Sequence, residues 1–285
     1  MRTAGPDDLW SLVSGAFPPH QVPFVHPEPD GQHQRHLALV LAYDGTAYGG
    51  WQVQPEGPTI QATVEAALSR LCDHPVRLAA SGRTDAGVHA VGQVAAFSTT
   101  SRLELDRMAR GLAALLPPDI HPRALGAVAA DFHPRYHALA KTYDYYLRPA
   151  AAAPVFLNHF AWPLREPLDP AALQKALEPL PGRRDLAALA SRGSEVNGST
   201  VRRILAAELT RFDHGLWRVR VCATGFLRHV MRNLVGTLVQ IGRGRLRPQD
   251  LMDMLAAGRR IHPGPKAPPA GLFLGRVYYG ELPEF

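Results

Sequence analysis

The chain has 285 residues, of which 46% are hydrophobic and 20% are charged. This balance is typical of a folded globular protein and excludes a largely disordered chain, while the apolar runs are too short to span a bilayer. The net charge of +6 favours a polyanionic partner, nucleic acid above all. Only two cysteines occur, Cys72 and Cys222, which excludes a disulfide framework and indicates two small core residues.

The chain order of the elements predicts an α+β protein. Residues 1–35 are rich in proline and histidine, and we expect a poorly ordered extension there. The remainder divides into an N-terminal half, 36–132, and a C-terminal half, 133–285, in which short turns favour antiparallel strands. Alternating apolar residues predict strands at 36–43, 76–80, 92–98, 123–129, 142–148, 201–212, 216–223 and 272–279. Helical periodicity, caps and prolines predict helices at 60–71, 106–116, 170–177, 226–241 and from 248 onward. Thr59 is the predicted cap of the first helix, whose apolar stripe is Ile60, Val64, Leu68 and Leu71, and the strands 201–212 and 216–223 are predicted to form a hairpin.

The segment 81–90, Ser-Gly-Arg-Thr-Asp-Ala-Gly-Val-His-Ala, is the most informative stretch of the chain. It follows a predicted strand, and its two glycines allow a sharp turn and the close approach of a bulky ligand. Arg83 is suited to binding phosphate or a carboxylate, and Asp85 is a candidate nucleophile or general base. The alternative interpretation of Asp85 is structural, because aspartate commonly caps turns and helices.

The single carboxylate of this segment favours one kind of glycosidic chemistry over another. Hydrolysis of a glycosidic bond usually needs two acids that flank the bond, and only one is present here. An isomerisation that returns the base to the sugar needs no second acid to activate water. Asp85 therefore fits an isomerase better than a hydrolase.

Two further segments carry aromatic residues that suit RNA. Residues 43–54 interleave aromatics with glycines and amides such as Gln52, a pattern in which rings stack on bases and amides bind base edges. Tyr143, on a predicted strand, could stack on an extruded uracil. Both segments have a structural alternative, in which the aromatics are core residues.

The basic residues are concentrated between positions 200 and 247. Ten arginines stand there against two acids, Glu208 and Asp213, which gives a local balance of +8. Such a concentration resembles an electrostatic footprint for phosphates. In the predicted helix 226–241, Arg228 and Arg232 are four residues apart and would share one face. We expect Arg228 and Arg202 to contact RNA, together with Gln52 and His89.

Taken together, these segments resemble the tRNA pseudouridine synthase A family. The resemblance runs from about residue 36 to the end, and only residues 150–197 match loosely. It is carried by five motifs that occur in the family order: Tyr43-Asp-Gly-Thr46 with Gly50-Trp-Gln-Val-Gln54, Gly82–His89, Asp131–Tyr136 with Tyr143-Asp-Tyr145, Phe226-Leu227 with Met231–Gly236, and Ala270-Gly-Leu272.

The resemblance implies a fold, a reaction and a set of residues. The fold would be that of pseudouridine synthases, two ferredoxin-like α/β halves with largely antiparallel sheets around a central RNA-binding cleft. Asp85 would be the nucleophile, Arg83 would hold the target base out of the stack, Tyr143 would pack on the uracil, and Arg232 would pair with Asp85. The family implies a cytoplasmic homodimer that modifies positions 38 to 40 of the tRNA anticodon arm without a cofactor or metal. The competing hypotheses are a catalytically silent RNA-binding module and a nucleoside hydrolase.

Overall fold

The computed structural model describes residues 20–25, 34–149, 157–191, 199–212, 215–261 and 264–282. They form two compact units. The N-terminal unit comprises Pro19–Leu139 together with Leu274–Leu282, and the C-terminal unit comprises Ala140–Phe273. Most of the predicted N-terminal extension lies outside the described residues. Its residues 20–25 are packed, since Val25 forms a β-bridge with Ala127.

The N-terminal unit is built on an antiparallel sheet with two helices. Its elements are β1 (Arg35–Tyr43), α1 (Ile60–Cys72), β2 (Ala79–Ala80), β3 (His89–Thr99), α2 (Leu105–Leu115) and β4 (Ile120–Ala127). The strand order is β4-β1-β3, with β2 also on β3, and β3 is followed by β10 (Leu272–Tyr278), whose last five residues belong to this unit. Strand β1 is therefore central. Its residues 37–41 are all buried, so both faces of the strand are covered and not only the one that alternation predicted.

The predicted cap of the first helix is confirmed. Thr59 is extended and its side chain accepts a hydrogen bond from Ala62 N at 3.3 Å. Of the predicted apolar stripe of α1, Ile60, Val64 and Leu68 have no exposed surface, and Leu71 is half-buried. The helix thus forms where capping and periodicity predict it.

The C-terminal unit combines a second antiparallel sheet with three helices. Its elements are β5 (Ala140–Arg148), β6 (Trp162–Pro163), α3 (Pro170–Leu177), β7 (Gly182–Asp185), β8 (Val201–Arg211), β9 (Trp217–Ala223), α4 (Val230–Gly242) and α5 (Pro248–Ala256). The strand order is β5-β9-β8-β7, and β6 pairs with β5 in parallel. Strands β8 and β9 form the predicted hairpin, with Arg211 opposite Trp217. Together the two units confirm the α+β fold class.

Two predicted elements are shorter than expected, each for a local reason. The strand predicted at 76–80 is reduced to Ala79–Ala80 because the backbone N–H of Val76 donates to Ser69 Oγ and that of Leu78 donates to Glu65 Oε1. The helix predicted from residue 226 begins at Val230 instead. The preceding His229 has φ +66°, a left-handed conformation that cannot continue a helix toward the N-terminus. In the part of the chain that the structure describes, no helix is long and apolar enough to cross a membrane.

Candidate active site

The loop 81–88 joins β2 to β3 in the N-terminal unit and carries the candidate nucleophile. It is anchored where it leaves the sheet, because the backbone N–H of Ser81 donates to Val94 O in β3 at 2.8 Å. Ser81 and Thr84 are buried, whereas Arg83 is exposed and Asp85 is half-buried. The loop therefore leaves Arg83 accessible and Asp85 partly accessible, while Ser81 and Thr84 fix it to the core.

A buried polar network lies beneath this loop. The hydroxyl of Tyr43 is 2.9 Å from Thr84 Oγ1. Gln93 accepts a hydrogen bond from Ser81 Oγ at 2.7 Å and donates to Gly82 O at 2.8 Å. Burial raises the pKa of Tyr43 to about 12, although hydrogen bonds to Thr84 and Gln93 oppose the rise, so the hydroxyl keeps its proton at neutral pH. These bonds fix the backbone on both sides of Arg83 and immediately before Asp85.

The segment that follows β1 packs directly on the loop. Trp51 N donates to Thr84 O at 3.0 Å. Gly50 has φ +101°, and a Cβ atom added to it would lie 2.6 Å from Thr84 O and 2.9 Å from the carbonyl carbon of Asp85. Only glycine permits this approach. The same segment meets the first turn of α1, since Gly50 O accepts from Ile60 N at 3.1 Å.

This packing decides between the two interpretations of residues 43–54. Tyr43, Tyr48 and Trp51 are 4%, 8% and 1% exposed, so the expectation that these rings stack on RNA is wrong. Their pattern reflects a buried turn that supports the loop. Gln52 is half-buried and remains a predicted RNA contact.

His89, another predicted RNA contact, is 1% exposed and supports the loop from within. Its Nδ1 lies 3.1 Å from both Gly45 N and Asp44 Oδ1. When the ring proton is on Nε2, Nδ1 accepts a hydrogen bond from Gly45 N; when Nδ1 is protonated, it donates a hydrogen bond to Asp44 Oδ1. Burial would raise the pKa of Asp44, but hydrogen bonds from His89 and Thr46 outweigh it and hold that pKa well below its usual range. His89 is therefore unavailable to RNA and acts as a positioning residue.

The remaining predicted residues belong to the C-terminal unit. Tyr143 lies on β5 opposite Val221 and is 9% exposed. Its ring meets Phe226 edge to face, with centroids 4.8 Å apart. Its neighbour Asp144 accepts two hydrogen bonds from Arg220, at 2.7 and 2.8 Å. Tyr143 is thus held by a rigid strand on one side and an aromatic contact on the other.

Arg232 and Arg228 do not share a helix face as predicted. Arg228 is exposed and precedes α4, because the helix begins at Val230. Arg232 lies within the helix and is 9% exposed. Its Nε donates to Ala267 O at 2.7 Å, and Ala267 N donates in return to Arg232 O at 3.0 Å. These bonds fix the guanidinium stem of Arg232 in the core of its unit.

The basic segment is less positive in the structure than its local balance of +8 suggests. Four of its arginines pair with acids outside it: Arg220 with Asp144, Arg243 and Arg245 with Glu166, and Arg247 with Asp250. Arg202 donates to two backbone oxygens, those of Ser199 at 2.6 Å and Val201 at 2.8 Å. Fewer arginines are therefore free for phosphate than the sequence alone indicates.

One supporting residue was missed by the sequence analysis. Gln93 is fully buried in β3, where it connects Ser81, Gly82 and Tyr43. The available signal was a single amide within an otherwise apolar strand. A buried amide must find partners, which makes such a residue a marker of an internal hydrogen-bond network.

Metal ligation has no obvious centre among the described residues. Cys72 and Cys222 are buried free thiols, as predicted. No group of three or more histidine, cysteine, aspartate or glutamate side chains in the described ranges is arranged to hold a metal ion.

Comparison with known proteins identifies the family. The family model for tRNA pseudouridine synthases matches residues 39–137 and 176–280. The chain is 43% identical over 245 residues to a tRNA pseudouridine synthase A of Geobacter sulfurreducens. The aligned region covers 86% of this chain and 100% of that protein. The chain is 44% identical over 245 residues to the enzyme of the same name from Moorella thermoacetica, covering 85% of this chain and 99% of that protein. These matches and the α+β architecture show that the chain belongs to the tRNA pseudouridine synthase A family of isomerases.

Proposed function

We propose that this enzyme isomerises uridine to pseudouridine at positions 38 to 40 of the tRNA anticodon arm, with Asp85 as its nucleophile and without a cofactor. The observation that carries the proposal is the setting of Asp85. Its carboxylate is half-buried on a loop that the Tyr43, Gln93 and Gly50 contacts hold rigidly. A positioned nucleophile needs such support, because small displacements reduce reaction rates strongly.

The proposed reaction conserves every atom of the substrate. The bond between N1 of uracil and C1′ of ribose breaks, a bond between C5 and C1′ forms, and the proton on C5 moves to N1 by way of solvent or a protein group. Asp85 forms a transient covalent bond with either the sugar or the base and is released unchanged. No net oxidation or group transfer occurs, so the reaction requires no oxidant, reductant or group donor.

Two arginines and one tyrosine are proposed to assist Asp85, on the basis of the family resemblance. Arg83, exposed and two residues from Asp85, would hold the extruded nucleotide. Tyr143 would pack on the uracil, and its contact with Phe226 would set the orientation of the ring. Arg232, whose Nε donates to Ala267 O, would pair with Asp85.

The first experiment tests the reaction and its site together. Purified enzyme is incubated with an unmodified tRNA transcript, and pseudouridine is mapped by base-resolved chemical probing. We expect product at positions 38 to 40, and none with Asp85→Asn. The matched control is Asp106→Asn, an exposed acid on the first turn of α2, which should retain full activity. Product elsewhere in the tRNA would refute the proposed site, and activity of Asp85→Asn would remove Asp85 from the mechanism.

We also propose that the enzyme acts in the cytoplasm as a homodimer, as the family resemblance implies. Light scattering coupled to size-exclusion chromatography would give a mass of twice 31.1 kDa. A single 31.1 kDa species at micromolar concentration would contradict the dimer. Neither result bears on the chemistry of Asp85.

A further inference from the structure

An exposed aromatic ring stands on the N-terminal unit outside the catalytic loop. Tyr136 is 74% exposed, more than the other large hydrophobic side chains that are exposed in the described residues. It lies in the turn 132–137 between β4 and β5. A tyrosine that is buried this little contributes almost nothing to folding, and its ring is accessible to a ligand.

The turn holds this ring in a defined place. Nδ1 of His133 accepts hydrogen bonds from the backbone N–H groups of Arg135 at 3.1 Å and Tyr136 at 3.4 Å. Burial, followed by the nearby charges of His137 and Arg135, lowers the pKa of His133, which keeps Nδ1 free to accept at neutral pH. The imidazole of His133 also packs against the Tyr136 ring, with centroids 4.3 Å apart and planes inclined by 36°.

The base of the turn is fixed to the sheet of the same unit. The hydroxyl of Tyr279 donates to Pro134 O at 2.7 Å. The ring of Phe132 packs on that of Tyr279, with centroids 5.2 Å apart. Tyr136 is therefore displayed from an ordered platform and loses little conformational entropy when a ligand binds.

The neighbours of the ring indicate what it binds. The guanidinium carbon of Arg135 lies 5.8 Å from the Tyr136 ring centroid, and both Arg135 and His137 are exposed. An aromatic face beside a cation matches a nucleotide, whose base stacks while its phosphate is neutralised. Because a paired base is already stacked on both sides, the ring is suited to an unpaired nucleotide.

A protein partner fits these neighbours less well. A stable protein interface removes about 800 Å² of surface from each partner and is centred on apolar residues. In the segment 132–139, the only exposed apolar side chain besides Tyr136 is Leu139, at 47% exposure, and the residues on either side of Tyr136 are the polar Arg135 and His137. A single ring between two polar side chains is a poor core for such an interface.

We propose that Tyr136 and Arg135 form a binding site for an unpaired nucleotide of the RNA substrate, with the base stacked on Tyr136 and the phosphate on Arg135. The site rests on the proposed function and extends it, since it would bind a nucleotide of the tRNA other than the reacting uridine.

The test compares Tyr136→Ala with Tyr136→Trp, and uses Leu139→Ala as the matched control for loss of exposed apolar surface. Affinity for unmodified tRNA and for an isolated anticodon stem-loop is measured by fluorescence anisotropy, and pseudouridine formation is followed at limiting and saturating RNA. We expect Tyr136→Ala to weaken binding and raise KM about fivefold or more with little change in kcat, Tyr136→Trp to bind at least as well as wild type, and Leu139→Ala to behave as wild type.

Direct contact is checked by photocrosslinking of RNA that carries 5-iodouridine at unpaired positions, followed by mass spectrometry of the crosslinked peptide. A crosslink at Tyr136 would support the site. Unchanged affinity of Tyr136→Ala, while the wild type forms pseudouridine, would overturn this inference and leave the proposed function intact. If the wild type binds RNA but forms no pseudouridine, and Tyr136→Ala loses that binding, the inference would stand and the proposed function would be overturned. Dissociation of a dimer by Tyr136→Ala would assign the ring to a second copy of the chain and also overturn the inference.

Discussion

The hydroxyl of Tyr43 lies 2.9 Å from Oγ1 of Thr84, the residue that immediately precedes the proposed nucleophile. Both side chains are buried, and Gln93 Nε2 lies 3.5 Å from the same hydroxyl. The relationship links the end of β1 to the loop 81–88 across 41 residues of sequence. It makes the position of Asp85 depend on a side chain that has no direct part in the proposed chemistry.

The first prediction tests this link by Tyr43→Phe. Loss of the hydroxyl leaves Thr84 Oγ1 without this partner, which should cost about 1–2 kcal/mol of unfolding free energy. If the bond positions Asp85, kcat should fall while KM for tRNA changes little. The control is Thr99→Val, which removes two part-buried hydrogen bonds, with His74 and with Ser101 N, in the same unit but away from the loop. An equal loss of kcat in both variants would reduce the role of Tyr43 to general stability.

The second prediction concerns the contact between Gly50 and the catalytic loop. Gly50→Ala places a methyl group 2.6 Å from Thr84 O in a backbone with φ +101°, and we expect a loss of more than about 2 kcal/mol of stability. Gly57→Ala is the matched control, because Gly57 also has a positive φ, +73°, but has open space around it. That variant should lose about 1 kcal/mol. Urea denaturation measures both, and similar losses would mean that the close approach is unimportant.

Much of this arrangement follows from local sequence. The cap at Thr59 and the first-turn proline at Pro248 predict the start of their helices, because capping depends on neighbouring residues only. The loop that carries Asp85 was also found from its own residues. In each case the determining interactions lie within a few positions along the chain.

The parts that could not be predicted depend on residues distant in sequence. The burial of Trp51 and His89 follows from contacts with Thr84 and with Gly45, across 33 and 44 positions. The left-handed conformation of His229, which delays the start of α4, is uncommon for a residue other than glycine and is not indicated by the apolar periodicity of the segment. Arg220 pairs with Asp144 across 76 residues of sequence, so a local count of charge overestimated the positive charge available to bind RNA.

The third prediction concerns the pH dependence of stability through Asp44. Its pKa is held low in the folded protein, so its contribution is present above the unfolded pKa of about 4 and is lost as the pH falls below that value. Asp44→Asn should therefore lower the unfolding free energy at pH 7, and the gap from wild type should shrink toward pH 3. Thr46→Ala removes the 2.6 Å hydrogen bond that the threonine hydroxyl donates to Asp44. In a protein that carries Thr46→Ala, the further change Asp44→Asn should therefore lower the unfolding free energy at pH 7 by less than it does in the wild type. A gap that is independent of pH would show that the charge of Asp44 is not responsible.

The fourth prediction compares two exposed arginines in RNA binding. Arg228 is exposed before α4, and Arg247 is exposed and held by Asp250 at 2.7 Å. Arg228→Ala should weaken tRNA binding and reduce the slope of log K against log salt by about one, because one fewer phosphate is neutralised. Arg247→Ala should have a smaller effect, since its charge is already balanced. Filter binding between 50 and about 300 mM salt measures both slopes. Equal slopes for Arg228→Ala and wild type would make Arg228 a bystander, and a larger change for Arg247→Ala would mean that tRNA displaces Asp250 from its arginine.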